Sequence, residues 1–414
     1  MAKHLKILIS AYACCPIRGS EPGVGWGFVK ALAEHHDLWI ITEKEKFQTE
    51  VEEYLRSNPD FAAKVNFYFI QKNRNRLLRK IWPPSYYWYY RKWHLQAYRK
   101  AKQLHKEVCF DVAHQLTMVG FREPGYLWQL NIPFVWGPIG GMGYFPTRFL
   151  PVVGAKGAVY YLGYNCMNFL HRHFLTRPKK AARIAKQGLI TATPENQAGA
   201  LKNWNCNSLV MPEVGLPCPV SNDISYRKKE ENLKIVWTGL HIARKALNLA
   251  LKGLNHLDKD LNWELNVLGN GEKTQQWQSE AQSLGIAPQC HFHGWLPRQD
   301  ALEVMRTSHI LLITSLRDLT STVTIEALAL GLPIICLDHC GFSHVITPEC
   351  GIKIPVHSPK QVTTDIAKAI TKIYKNEPWR RQLASGALHR AHDFEWSKKA
   401  QQINEIYFKA IETI

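Results

Sequence analysis

Ile310-Leu-Leu-Ile-Thr-Ser-Leu-Arg-Asp-Leu-Thr-Ser-Thr-Val-Thr-Ile-Glu-Ala-Leu-Ala-Leu-Gly-Leu-Pro-Ile-Ile-Cys-Leu-Asp338 is the stretch on which the fold turns. Ile310–Ser315 is a short apolar run, and Leu332–Asp338 is another. Between them lies a polar segment that leads into Ile325-Glu-Ala-Leu-Ala-Leu330 and stops at Gly331 and Pro333, which has the length and punctuation of one helix. Two buried runs joined through a helix make a parallel pair, because parallel strands need a crossover connection.

The same alternation fills the chain on both sides. Leu5–Tyr12, Leu38–Thr42, Val65–Gln71, Asp111–Leu116, Pro133–Gly137 and Gly188–Thr193 form a first series. Leu233–Gly239, Trp263–Gly269, Cys290–Gly294, Ile310–Ser315, Leu332–Asp338 and Gly351–Val356 form a second. Two doubly wound α/β domains follow, which suits 414 residues, more than one core organises. Pro212, Pro217, Pro219 and Asn222 interrupt regular structure at the join. The expected domains are 1–220, 221–390, and a last segment, 391–414, whose apolar pattern at Ala391, Phe394, Ala400, Ile403, Ile406 and Tyr407 marks a helix packing back on the first domain.

Composition narrows the class. An apolar fraction of 46% with 21% charged residues is that of an ordinary globular chain. Ten scattered cysteines, with no CxxC pair, indicate buried thiols in place of a zinc site or a disulfide framework. The run Lys3–Cys15 continues into a Gly-rich turn and reads as a first strand, not a signal peptide, and Gly157–Leu170 is too short to span a bilayer. A cytoplasmic protein, peripheral at the inner face of the membrane, is expected. The formal charge of +18 resides mostly in 1–225, with 29 basic and 15 acidic residues. Lys72–Lys106 holds eleven Lys or Arg, no acid, and eight aromatics. That mixture favours an anionic lipid surface; a nucleic acid could use the same patch, and so could a plain solvated helix whose aromatics pack inward. No nucleic-acid partner is expected.

Ligands of open parallel sheets bind beyond the carboxyl ends of the strands, so the loops there carry the chemistry. After the first strand comes Arg18-Gly-Ser-Glu-Pro-Gly-Val-Gly-Trp26, where Gly23 and Gly25 permit close approach of the backbone just before a helix. After the first strand of the second domain comes Trp237-Thr-Gly-Leu-His-Ile-Ala-Arg-Lys-Ala246, which sets Arg244 and Lys245 at the mouth of the expected cleft, where adjacent cations suit a diphosphate. Beyond Ile310–Ser315, the amides of Ser321, Thr322 and Val323 open a helix and could receive phosphate oxygens. Glu326, about one turn further, could accept two hydrogen bonds from a ribose diol.

Asp318 and Glu326 stand with seven positions between them, followed by Glu326-Ala-Leu-Ala-Leu-Gly-Leu-Pro-Ile-Ile335, and this resembles the acid-x7-Glu signature of the retaining family-4 glycosyltransferases. Ser20–Trp26, Pro133–Gly141, Thr238–Leu247, Val267–Glu272 and Phe292–Pro297 follow in that family's order, so the resemblance runs to Phe394-Glu-Trp396 and the last helix. It implies the GT-B architecture: two Rossmann-like doubly wound domains facing each other across a cleft, a nucleotide-sugar between them, and no metal or cofactor. By the same resemblance Lys245 and Arg244 neutralise the diphosphate, Glu326 holds the ribose and Asp318 contacts the transferred sugar. His293, Gly294 and Leu296 border the nucleobase, with Gly239 and Gly269 in the same donor pocket. His114 lies beside the donor sugar as a catalytic residue, and Gly23 and Gly25 approach donor or acceptor. Three positions depart from the family pattern: Leu240 where an arginine is common, Asp318 for the commoner glutamate, and Leu319-Thr-Ser for a Gly-aromatic-Gly loop.

The implied activity is transfer of a sugar from a UDP- or GDP-sugar to a glycan or lipid-linked acceptor in polysaccharide or glycolipid assembly, with retention. A lipid-linked acceptor fits Lys72–Lys106 and the apolar stretch Val152–Phe174. Two alternatives stand beside it: a nucleotide-sugar epimerase of the same fold, and a non-catalytic membrane- or nucleic-acid-binding protein with a vestigial cleft.

Overall fold

The computed structural model describes residues 4–73, 77, 81, 85–216 and 218–412. The apolar runs of the first half are strands β1 (Lys6–Ala11), β2 (Asp37–Glu43), β3 (Val65–Ile70), β4 (Val112–Thr117), β5 (Phe134–Ile139), β6 (Leu189–Thr191) and the short β7 (Leu209–Val210), which the sequence reading had missed because two residues carry no pattern. All pair in parallel, in the order β3-β2-β1-β4-β5-β6-β7. Helices cover both faces, so β4 and β5 have every residue buried, and Trp136 of β5 stacks on Trp204 with ring centres 6.0 Å apart.

The second half repeats the plan. β8 (Leu233–Thr238), β9 (Trp263–Leu268), β10 (Cys290–Gly294), β11 (Ile310–Ile313), β12 (Ile334–Leu337) and β13 (Gly351–Ile354) lie in the order β10-β9-β8-β11-β12-β13, again parallel. In each sheet the chain starts in the middle, runs to one edge and then returns to the other side. The order therefore reverses between β1 and β4, and between β8 and β11, and such reversals open the crevices in which ligands bind.

The chain forms two compact units, and they are not the contiguous halves expected. One comprises Met1–Met142, Leu170–Gly215 and Trp396–Ile414; the other comprises Gly143–Phe169 and Leu216–Glu395. Gly143–Phe169, placed in 1–220 by the sequence reading, belongs to the second unit because Phe149, Val153 and Tyr161 enter that unit's core. Asn248 also holds the Val152 carbonyl from a side-chain amide 2.9 Å away. The final helix, Trp396–Glu412, buries Ala400, Ile403, Ile406 and Tyr407 within the first unit. Its Trp396 occupies space left by two glycines: a Cβ at Gly27 would lie 2.1 Å from the indole, and one at Gly215 would lie 2.4 Å from it.

Candidate functional site

In the second unit the loops that leave β8 and β11 are tied to each other at the point where strand order reverses. The Leu316 amide donates to the Arg244 carbonyl at 2.8 Å, and the Thr314 hydroxyl to the Lys245 carbonyl at 3.0 Å. Trp237, buried in β8, donates its indole N–H to the same Thr314 oxygen. Lys245 ends a short 3-10 turn, Ala243–Lys245, and Ala246 then takes a left-handed conformation so that the helix Leu247–Leu254 can begin. This geometry delivers both cations to Asp318. Lys245 Nζ lies 2.5 Å and Arg244 Nη1 3.2 Å from Asp318 Oδ2, and Arg244 also donates to the Arg317 carbonyl at 2.6 Å.

Burial raises the Asp318 pKa, but Lys245 and Arg244 outweigh it and hold the carboxyl below its ordinary value. The Lys245 side chain is 12% exposed, so its charge is poorly hydrated and Asp318 compensates it. The backbone around Asp318 is fixed as well: its own N–H points to Cys340 Sγ at 3.2 Å, and its Oδ1 accepts the Leu319 N–H.

Past Asp318 the helix Thr322–Ala329 starts at Ser321, whose side chain makes no cap bond. The first amides of an α-helix lack intrahelical acceptors, and those near Ser321, Thr322 and Val323 belong to half-buried residues beside this cluster. Glu326 is buried one turn on, and a single oxygen, Oε1, accepts from both Arg298 Nε at 3.0 Å and Arg298 Nη2 at 2.9 Å. Arg298 was missed in the sequence. It opens the helix Arg298–Arg306 directly after Phe292–Pro297, and no local pattern ties it to a carboxylate 28 positions away. The contacting side chains Arg244, Lys245 and Arg298 against Asp318 and Glu326 carry three positive charges and two negative, which leaves a surplus of +1.

Three of the named glycines meet along the strand ends. Gly239, Gly269 and Gly294 follow or close β8, β9 and β10, all with positive φ, and the Gly269 amide donates to the Gly294 carbonyl at 2.7 Å. A Cβ at Gly269 would lie 2.0 Å from the Gly239 carbonyl oxygen, so only glycine lets these loops stack. His293 is exposed with its Nε2 2.7 Å from Asn266 Oδ1, Leu296 is half-buried, and between them Trp295 is 68% exposed.

The first unit corrects two expectations. Gly23 and Gly25 are not in a turn ahead of a helix: the helix runs Glu21–Leu32 and contains both. A Cβ at Gly25 would lie 2.2 Å from the Ala13 carbonyl oxygen and one at Gly23 2.8 Å from that of Arg18, so the close approach these glycines permit is to their own chain. His114 is not presented to a ligand. It sits in mid-strand in β4, fully buried, with Nε2 2.8 Å from the Gly137 carbonyl and Nδ1 2.7 Å from the Tyr407 hydroxyl. A carbonyl only accepts, so Nε2 carries the proton and Nδ1 accepts from Tyr407. Burial lowers its pKa to about 4, against a partial rise from the Gly137 bond, and the ring is a neutral packing element.

A different group marks the ligand end of this sheet. Glu21 accepts the Val119 amide at 2.7 Å, just beyond β4. Burial lifts its pKa to about 7, the Val119 bond draws it down and Glu213 pushes it up. In the sequence Glu21 is one acid within the Gly-rich Ser20–Trp26, and no local pattern marks it as shielded from water.

The helix Ser85–Val108 divides the aromatics of Lys72–Lys106. Tyr90 and Trp93 are buried, whereas Tyr87 and Trp88 are exposed at its start and Arg91, Lys92, Arg99, Lys102 and Lys106 cover its outer side. Arg74, Arg76, Arg79, Lys80 and Trp82 lie outside the described residues. Among the described residues no group of His, Cys, Asp and Glu is arranged to hold a metal, and no helix is long and apolar enough to cross a membrane.

A doubly wound unit with cations, glycines and a helix start gathered at its strand-order reversal defines the class of α/β folds that bind nucleotides. Residues 222–390, within the second unit, match the family described as Glycosyl transferases group 1. The lipopolysaccharide glucosyltransferase WaaG of Escherichia coli (strain K12) is 29% identical over 180 residues, which cover 42% of this chain and 46% of that protein, so the match spans about half of the relative's length. Among solved structures, sucrose-phosphate synthase of Thermosynechococcus elongatus aligns over 99% of this chain and 100% of its own, with 16% identity and a TM-score of 0.62. HepE of Anabaena, solved in complex with UDP-glucose, aligns over 99% and 100% with 12% identity and a TM-score of 0.58. The fold is that of the GT-B glycosyltransferases, with two Rossmann-like units.

Proposed function

We propose that the protein is a retaining glycosyltransferase that moves a sugar from a UDP- or GDP-sugar to a glycan or lipid-linked acceptor, in the assembly of a polysaccharide or glycolipid. The observation that carries the reading is the clamp of Arg244 and Lys245 on Asp318 beside the start of the helix Thr322–Ala329, with Glu326 one turn on. Similarity to a lipopolysaccharide glucosyltransferase, and a fold shared with a protein solved with UDP-glucose, support the acceptor and donor classes.

In the proposed reaction the bond between the sugar's anomeric carbon and the diphosphate breaks, and charge develops on the leaving oxygen. Lys245, Arg244 and the amides near Thr322 stabilise that charge where it forms, the term that usually dominates such catalysis. The acceptor hydroxyl bonds to the anomeric carbon on the face the diphosphate leaves, and its proton passes to the leaving phosphate. Glu326 exchanges Arg298 for the ribose hydroxyls, and Asp318 exchanges Lys245 for the transferred sugar. Gly239, Gly269, His293, Gly294 and Leu296 border the nucleobase. No cofactor enters the proposal, because the nucleotide-sugar is itself the donor. The enzyme works in the cytoplasm, and the outer side of Ser85–Val108 draws it to anionic lipid.

A thermal-shift screen of UDP- and GDP-sugars tests the donor assignment. Ligand at about 100 times its Kd adds roughly 2.7 kcal/mol of stability, so one nucleotide should raise Tm clearly. If none does, the proposal fails.

A further inference from the structure

The helix Gly154–Phe174 is built inside out. Asn165, Asn168 and Arg172 take its inner side, where they bind backbone: Asn165 holds both the N–H and the C=O of Phe145 at 2.8 Å, Asn168 the Gly143 carbonyl at 2.8 Å, and Arg172 the Met142 carbonyl at 2.9 Å. Val159, Leu162, Met167, Phe169, Leu170 and Phe174 are all exposed, Val159 at 72% and Phe174 at 71%. At about 3.6 residues per turn these six fall on one half of the helix surface, opposite Tyr161, Asn168 and Arg172. A surface helix of a water-soluble fold has the reverse polarity. An exposed apolar strip of this length marks an interaction surface.

Charge decides what covers it. Between Glu123 and Glu195 the sequence has no Asp or Glu and eight Lys or Arg. Lys156 lies one turn before the strip, and Lys180, Arg183 and Lys186 are exposed on the segment that follows. A second copy would set two segments rich in Lys and Arg, neither with an Asp or Glu of its own, against each other, whereas an anionic bilayer offers phosphates at the rim and acyl chains beneath. We propose that Gly154–Phe174 lies in the plane of an anionic membrane with its apolar side in the acyl boundary and its flanking basic residues on the headgroups.

The polar side of the helix grips Met142–Phe145, in the loop that leaves the carboxyl end of β5. Docking would therefore hold that loop at the lipid surface. The inference deepens the lipid-linked acceptor part of the proposed function and rests on that reading only for its purpose, because membrane binding needs neither donor nor acceptor.

The test is co-sedimentation of the full chain with vesicles of phosphatidylcholine alone and of phosphatidylcholine with phosphatidylglycerol in a three-to-one mixture. The chain should bind the mixed vesicles and release from them in high salt. The combined variant Leu162→Ser, Phe169→Ser, Phe174→Ser should bind about tenfold or more weakly, since each buried methylene adds to partition. Cys166 is exposed within the strip and takes a polarity-sensitive label. Its emission should shift to the blue with mixed vesicles, and the shift should be absent in Cys166→Ser, where exposed Cys109 remains as the control. This second measurement keeps the test open if the triple variant fails to fold. No binding to mixed vesicles, or binding with no shift at Cys166, overturns the proposal. So does concentration-dependent self-association that the triple variant abolishes, which would assign the strip to a second copy. The UDP and GDP thermal shift, run on the same preparations, shows separately whether the donor reading stands.

Discussion

Asp318→Asn and Lys245→Met should act on nucleotide binding with opposite signs, although both break the Lys245–Asp318 ion pair. Asp318 Oδ2 lies 2.5 Å from Lys245 Nζ and 3.2 Å from Arg244 Nη1, so a diphosphate that takes those cations must bring its charge close to the Asp318 carboxylate. At a separation of about 5.5 Å and an effective dielectric constant of about 20, the repulsion is roughly 3 kcal/mol per unit charge. Side-chain rearrangement and solvent relieve about half of it. Asp318→Asn should therefore tighten UDP or GDP binding by about 1.5 kcal/mol, close to tenfold. Lys245→Met removes a charge-assisted hydrogen bond and should weaken binding by about 2 kcal/mol, near thirtyfold. Calorimetric titration with the nucleoside diphosphates measures both. The gain in Asp318→Asn should be smaller for the nucleotide-sugar, which loses its proposed contact with the carboxylate, and turnover should fall. If Asp318→Asn weakened the diphosphate as Lys245→Met does, Asp318 would be holding the ligand instead of competing for the cations, and the reasoning would be wrong.

Three further outcomes follow from other contacts. His114→Asn should cost about 2 kcal/mol by leaving the Tyr407 hydroxyl and the Gly137 carbonyl unpaired, yet leave transfer well below Tm nearly unchanged; a collapse of kcat would restore the catalytic role. Because the folded pKa of His114 is depressed to about 4 from an ordinary 6.5, its contribution is complete above pH 6.5 and is lost as pH falls toward 4, about 3 kcal/mol in all, so urea melts of His114→Asn should show a shallower loss over that window. Gly269→Ala forces a Cβ 2.0 Å from the Gly239 carbonyl at a φ of +109 and should abolish nucleotide binding with a loss of roughly 2 kcal/mol or more in stability. Arg380, fully buried, donates to Glu377, the His309 carbonyl and the Ser225 carbonyl, so Arg380→Ala should cost about 3–5 kcal/mol while the folded fraction, counted by active-site titration, still binds nucleotide.

Repetition made the sheets legible. The buried inner strands are continuous apolar runs, as Ile310–Ile313 of β11 is, and even the half-exposed edge strand β10 coincides with Cys290–Gly294 as read from the residues. Strand order is a long-range property, but the βαβ connection restricts it strongly enough that two doubly wound units could be expected. Contiguity, by contrast, is only an assumption about domains. Gly143–Phe169 enters the second unit through Phe149, Val153 and Tyr161, whose apolar character is the same whichever core receives them. His114 shows the limit for single residues. A histidine near a strand end has one symbol whether its ring meets solvent or lies between a tyrosine hydroxyl and a carbonyl, and only the position of Tyr407, 293 residues away, distinguishes the two. Arg298 was hidden for the same reason, because its partner Glu326 stands 28 positions away on another helix.

The pairs Lys245–Asp318 and Arg298–Glu326 also explain how the carboxyl end of this sheet carries its charges. A cation as shielded from water as Lys245 destabilises the fold unless an anion sits beside it, and a buried carboxylate such as Glu326 needs a donor in turn. Each carboxylate named for a ligand contact is thus a counter-ion first. Its short side chain lets Asp318 bind Lys245 and its own Leu319 amide at once, within the loop that replaces the Gly-aromatic-Gly pattern. Under the proposed function, ligand binding at these strand ends is an exchange of partners: phosphate for Asp318 at Lys245, and ribose for Arg298 at Glu326. Net affinity reflects the difference between two sets of charged hydrogen bonds, so substitutions here shift selectivity between nucleotide, nucleotide-sugar and empty site more than they shift the strength of any one contact.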